Sequence, residues 1–155
     1  MSKSKFFITV GAVAALAAIV AGSALAGGNA VPKATGDFWY SNPWTGVPTH
    51  ITFVAQDLGG SSKGSMSYQD ERGTYQAQVI AAHVGTNGEA TFTAEITSST
   101  GAYAPDASEP RPAGTLVPMK VVDHGESGVN DEAIYQNGQD YPLGPLTAGN
   151  IQIHS

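Results

Sequence analysis

The sequence predicts an all-β protein, a single antiparallel β-barrel or sandwich of about eight strands, preceded by a signal peptide. Three observations carry this. Short runs with period-two or β-rich character recur along the chain, and Gly, Asn, Asp and Ser clusters punctuate them. No segment after residue 26 places apolar residues at three-and-four spacing for the length of a helix.

The first 26 residues read as an export signal. Lys3 and Lys5 make a basic start, Phe6 to Val20 is apolar, and Ala24 and Ala26 supply the small side chains a signal peptidase admits. The apolar run, about 15 residues, is short of the roughly 20 that span a bilayer. A stable membrane anchor is therefore not expected, and cleavage after Ala26 would place the protein outside the cell, in a periplasm or on a cell surface. Residues 27–33 read as a flexible leader and residues 34–155 as one β-domain.

The strongest strand is Glu89 to Thr97. Ala90, Phe92, Ala94 and Ile96 fall on one face, with Thr91, Thr93, Glu95 and Thr97 on the other. Thr74 to Val84 is also β-prone, and Gly85-Thr86-Asn87-Gly88 joins the two, because Asn-Gly tolerates the backbone of a tight hairpin. Gly36–Tyr40, His50–Gln56, Gly64–Asp70, Thr115–Asp123, Glu132–Gln136 and Gly149–His154 complete the set. A last strand paired with an early one would close the sheet and remove an edge. Thr100 to Gly114 carries Pro105, Pro110 and Pro112, which cannot donate to a ladder, so this stretch is an excursion between strands.

Composition narrows the chemistry. The formal net charge is −6 with only seven basic residues, two of them, Lys3 and Lys5, in the export signal, so nucleic acid is not an expected partner. Cys is absent, which removes thiol nucleophiles and zinc-thiolate sites. No Gly-x-Ser-x-Gly elbow is present, and Gly125-Glu126-Ser127-Gly128 is one residue short of it.

Three constellations remain as candidates. His50, His83, His124 and His154 could converge on a metal, with Asp123 as a partner, or stand isolated at strand ends. Asp123, Glu126 and Asp131 offer oxygen ligands in a Gly-rich loop, a candidate Ca²⁺ site without EF-hand spacing, or else cap backbone amides in a long hairpin. Phe38, Trp39, Tyr40 and Trp44 are clustered, and Trp39, Tyr40 and Trp44 are candidate ligand-binding residues; alternation sets Trp39 opposite Phe38 and Tyr40, so one face of the cluster belongs to a core.

Val121-Val122-Asp123-His124-Gly125-Glu126-Ser127-Gly128-Val129-Asn130-Asp131, followed by Leu146-Thr147-Ala148-Gly149-Asn150-Ile151-Gln152-Ile153-His154, resembles the end of the post-COAP domain family. His50-Ile51-Thr52-Phe53, Lys63 to Tyr68 and Glu89 to Phe92 sit where that family has similar strand pairs. The resemblance implies a compact all-β domain of secreted or cell-surface bacterial proteins, without catalytic residues to carry over. This chain is expected to depart from the pattern in standing alone and in its longer Pro-rich stretch.

The expected function is a secreted, non-catalytic binding or interaction module whose partner is an extracellular protein, a glycan or a small ligand, with no cofactor or with Ca²⁺. One alternative is a small-ligand carrier in which Ala77, Ala81 and Ala94 leave room inside a barrel, unless Phe53, Met66, Tyr68 and Phe92 fill it. The other is a metal-assisted enzyme using His and Asp.

Overall fold

The computed structural model describes residues 30–155 other than Glu126, Ser127 and Val129. The predicted export signal, residues 1–26, and residues 27–29 of the predicted flexible leader lie outside the described residues. The remainder is all-β: β1 (Lys33–Ser41), β2 (Pro48–Asp57), β3 (Ser62–Asp70), β4 (Gly73–Val84), β5 (Glu89–Gly101), β6 (Leu116–Val122), β7 (Glu132–Gln136), β8 (Asp140–Pro142) and β9 (Leu146–His154). All pairings are antiparallel, and the nine strands form one sheet in the order β8-β7-β6-β5-β4-β3-β2-β1-β9, curled into a half-barrel. A two-sheet sandwich is not formed, because each strand from β2 to β8 pairs with the one before it and none crosses to a second layer.

Each of the eight predicted strands has its counterpart. The ninth, β8, is three residues long and ends in proline, too short to show any alternation. The β4–β5 hairpin forms through residues 85–88, with the Gly85 amide donating to the Glu89 carbonyl at 2.9 Å. Ala90, Phe92, Ala94 and Ile96 are all buried, and with Phe38, Ile51, Phe53, Met66, Val79, Met119, Val121 and Ile151 they form the core on the concave face.

Ala81 is a correction. It lies exposed on the convex face, whereas Ala77 and Ala94 are interior. The β4–β5 register shifts between Val79 and Ala81, so Ile80 and Ala81 both face outward and the alternation resumes one residue out of phase. The interior near Phe53, Met66, Tyr68 and Phe92 is filled, since these four side chains are all buried in the core.

Closure also differs from expectation. β9 pairs with β1 from Lys33↔His154 to Tyr40↔Leu146, as an early-late pairing predicts, yet β9 is itself one end of the strand order. Its outer edge is met by side chains. The Ile151 amide donates to Asp131 Oδ2 at 2.9 Å and the Ile153 amide to Asp123 Oδ2 at 3.0 Å, both from the segment between β6 and β7. Carboxylates thus satisfy alternate amides that a tenth strand would otherwise take.

The meander sorts its connections. The β1–β2, β3–β4, β5–β6 and β7–β8 connections gather at one end of the half-barrel, and those of β2–β3, β4–β5 and β6–β7 at the other. This sorting positions the site.

Candidate binding cavity

At the first of these ends the concave face opens into a cavity of about 400 Å³. The chain has six tyrosines, and all six line it: Tyr40, Tyr68, Tyr75, Tyr103, Tyr135 and Tyr141. Trp44 and both arginines, Arg72 and Arg111, join them. Each tyrosine stands close to the connection that delivers it. Tyr40 and Tyr68 end β1 and β3, Tyr75 begins β4, Tyr103 follows β5, and Tyr135 and Tyr141 flank the β7–β8 turn.

Two aromatic walls result. On one, Tyr68 and Tyr75 are cross-strand partners stacked at 4.6 Å between centroids, and Tyr103 packs edge-on against both, at 5.6 and 6.0 Å. On the other, Trp44 meets the edge of Tyr141 at 6.2 Å, and Tyr141 lies 6.4 Å from Tyr135. Ile51, Met66, Val117 and Met119 also line the space between them. Offset and edge-on pairs of this kind each contribute about 0.5–1.5 kcal/mol beyond the area they bury.

Asp70 organises the first wall. Its side chain is fully buried, and it accepts from the Tyr68 hydroxyl, the Tyr103 hydroxyl, Arg72 Nε and Nη2, and the amides of Arg72 and Gly73. Burial pushes its carboxyl up, but hydrogen bonds from Tyr103 and Arg72 outweigh that and hold it below the ordinary aspartate value. Hydrogen bonding to Asp70 in turn raises the Arg72 pKa. Arg72 also donates from Nη1 to both oxygens of Glu109, at 2.8 and 3.0 Å, and its guanidinium carbon lies 5.4 Å from the centroid of the Tyr103 ring. The Glu109 contact is half exposed and is worth little; the buried Asp70 contacts are the ones that hold this wall together.

Through these groups the Pro-rich stretch is docked. Besides Tyr103 and Glu109, the Ala102 amide donates to the Arg72 carbonyl at 2.8 Å, the Arg111 amide to the Tyr103 carbonyl at 2.9 Å, and the Gly114 amide to the Ile96 carbonyl at 2.9 Å. The excursion expected from its prolines therefore forms one side of the cavity.

The sequence-predicted residues separate. Tyr40 and Trp44 line the cavity, with Tyr40 buried and Trp44 60% exposed. Trp39 lies on the convex face, 41% exposed and stacked on the His50 ring at 4.6 Å. The aromatic cluster is thus divided by strand alternation: Phe38 and Tyr40 turn inward, Trp39 outward. The tyrosines beyond Tyr40 were missed, although their proximity to turns at alternate strand ends is visible in the sequence.

Asp123 and Asp131 lie at the opposite end of the half-barrel. Asp131 is buried and accepts from the His124 and Ile151 amides, and Asp123 accepts from those of Gly125 and Ile153. Glu126 lies outside the described residues. The histidines do not converge: His50 pairs with Asp37 at 2.7 Å, His83 with Asp57 at 3.3 Å and His124 with Glu132 at 3.2 Å. Among the described residues no three His, Asp or Glu side chains are grouped closely enough to hold a metal ion.

Compared with family models, curated proteins and solved structures, the chain finds no match in any of the three.

Proposed function

We propose that this is an exported, non-catalytic binding module that holds its ligand in the tyrosine-lined cavity. The observation that carries the reading is the convergence of all six tyrosines, both arginines and Trp44 on one concavity. Tyrosine, tryptophan and arginine are the side chains that dominate binding energy, because each offers a large rigid contact with a polar end. A volume of about 400 Å³ is in the range that small ligands occupy.

The electrostatics favour binding over catalysis. Burial, first of all, pushes the phenols of Tyr40, Tyr75 and Tyr103 well above the ordinary tyrosine value, so they stay neutral at physiological pH. A tyrosine acting as a base needs the opposite shift. Asp70, the buried carboxylate, is committed to six donors and held as an anion, a poor state from which to accept a proton. Export is supported by the basic, apolar and small-residue pattern of residues 1–26. The likeness to post-COAP domains agrees with a β-module that lacks catalytic residues.

The test uses the half-exposed rim. Trp44→Ala and Tyr141→Ala remove cavity walls without emptying the core, and Trp39→Ala removes a comparable aromatic from the convex face. Binding should be measured by calorimetry against a panel of ring compounds, oligosaccharides and peptides. The reading expects losses of about tenfold or more from the first two variants and none from the third. Loss confined to Trp39→Ala would move the site to the other face.

A further inference from the structure

We infer that the cavity takes a flat, mainly apolar ring compound bearing one acidic group, an aromatic carboxylate, with its acid held by Tyr75 and Arg111. The inference rests on the cavity being the binding site and names the class of ligand.

The argument is a count of what the lining still has to offer. Most polar groups of the first wall are already committed. The Tyr68 and Tyr103 hydroxyls donate to Asp70, Arg72 is divided between Asp70 and Glu109, and Asn42 Oδ1 accepts from the Trp44 and Thr45 amides. Thr115 donates to the Pro112 carbonyl. Aromatic walls with Met and Ile beneath them suit a flat apolar body.

Two groups on the first wall are uncommitted. Tyr75 is 8% exposed, lines the cavity, and its hydroxyl has no hydrogen-bond partner among the described residues. Arg111 lines the same space and has no acidic partner within ion-pair distance among the described residues. Its amide donates to the Tyr103 carbonyl, and the Tyr103 ring packs edge-on against Tyr75 at 6.0 Å, so both groups belong to the same wall. A guanidinium can only donate. The Tyr75 phenol, with nothing to donate to, is a second donor on this wall that lacks an acceptor. The other charges facing this region are Asp70 and Glu109, both taken by Arg72, so neither supplies that acceptor. A ligand carboxylate would, accepting from both groups at once.

Calorimetric titrations with 1-naphthoate, with the neutral 1-naphthalenemethanol and with a hexuronic acid disaccharide test this, on the wild type and on Arg111→Gln and Tyr75→Phe. Arg111 is exposed and outside the core, so its variant should melt with the wild type. Naphthoate should bind about tenfold more tightly than the alcohol, and Arg111→Gln should remove that preference while leaving the alcohol's affinity unchanged. Tyr75→Phe should weaken naphthoate severalfold more than the alcohol. Equal binding of acid and alcohol, or a preference that survives Arg111→Gln, would overturn the assignment of the acid. Tighter binding of the disaccharide, lost in Trp44→Ala, would overturn the ligand class and leave the cavity standing as the site. Binding of any of the three that is lost only in Trp39→Ala would overturn both.

Discussion

The Tyr103 hydroxyl donates to the buried carboxylate of Asp70, joining the Pro-rich excursion to the end of β3 across a sequence separation of 33 residues. With the Arg72–Glu109 contact and the backbone bonds of Ala102, Arg111 and Gly114, it holds in place a loop whose prolines keep it out of the sheet. It also places a third tyrosine against the stacked pair of Tyr68 and Tyr75. The cavity wall and the loop are therefore a single piece of structure.

Removing the hub should cost more than any surface pair. Asp70→Asn deprives Arg72 of its buried partner and turns an acceptor of six bonds into a mixed donor and acceptor. A fully buried pair broken on one side costs about 3–5 kcal/mol, and Arg72 is a quarter exposed, so about 2–3 kcal/mol is expected. Urea unfolding measures it. Glu109→Gln, the half-exposed partner, should change stability by less than about 1 kcal/mol.

The same residue gives the protein an acid-side stability slope. Asp70 has a folded pKa below its unfolded value, so its contribution is complete above the unfolded aspartate value of about 3.9 and is lost as pH falls through the folded one. Stability measured from pH 6 downward should begin to fall near pH 4, and Asp70→Asn should flatten that fall. An unchanged slope in the variant would show that other carboxylates set it.

Asp131 should act as an edge clamp in any buffer. Asp131→Asn weakens two charge-assisted bonds to the His124 and Ile151 amides and is expected to cost about 2 kcal/mol. The drop in Tm should be equal in calcium chloride and in chelator. A drop seen only with Ca²⁺ would support the cation site read from Asp123, Glu126 and Asp131.

The register shift in β4 sets up a paired test. Ala77→Val adds two methyl groups inside a filled core and should cost about 1–3 kcal/mol. Ala81→Val adds them on the convex face and should lie within about 0.5 kcal/mol of wild type. Equal costs would mean that the alternation runs through Ile80 unbroken.

Much of this was legible in the residues. Alternation from Ala90 to Ile96, the Asn-Gly turn and the repeated turn clusters specify strands and their inward faces, because each is a local property of the chain. The shift at Ile80-Ala81 was not legible, since a bulge depends on how two strands pair. Nor was the half-open sheet: Gly149 to His154 reads as a strand, but whether its far edge meets another strand or the carboxylates of Asp123 and Asp131 depends on distant residues. The cavity lay between these cases. In a meander, turns after β1, β3, β5 and β7 share one end, and every tyrosine lies within three residues of one of them. Phe38, Trp39, Tyr40 and Trp44 are the denser cluster in sequence, yet strand alternation sends Trp39 to the opposite face.

The most direct test is an NMR titration of protein carrying ring-labelled tyrosine and tryptophan, against whichever of the panel compounds binds. The account predicts that ring signals of the cavity tyrosines, Tyr75, Tyr135 and Tyr141 foremost, shift together with the Trp44 indole while the Trp39 indole stays in place. Saturable binding that moves Trp39 and leaves all six tyrosines where they were would contradict it.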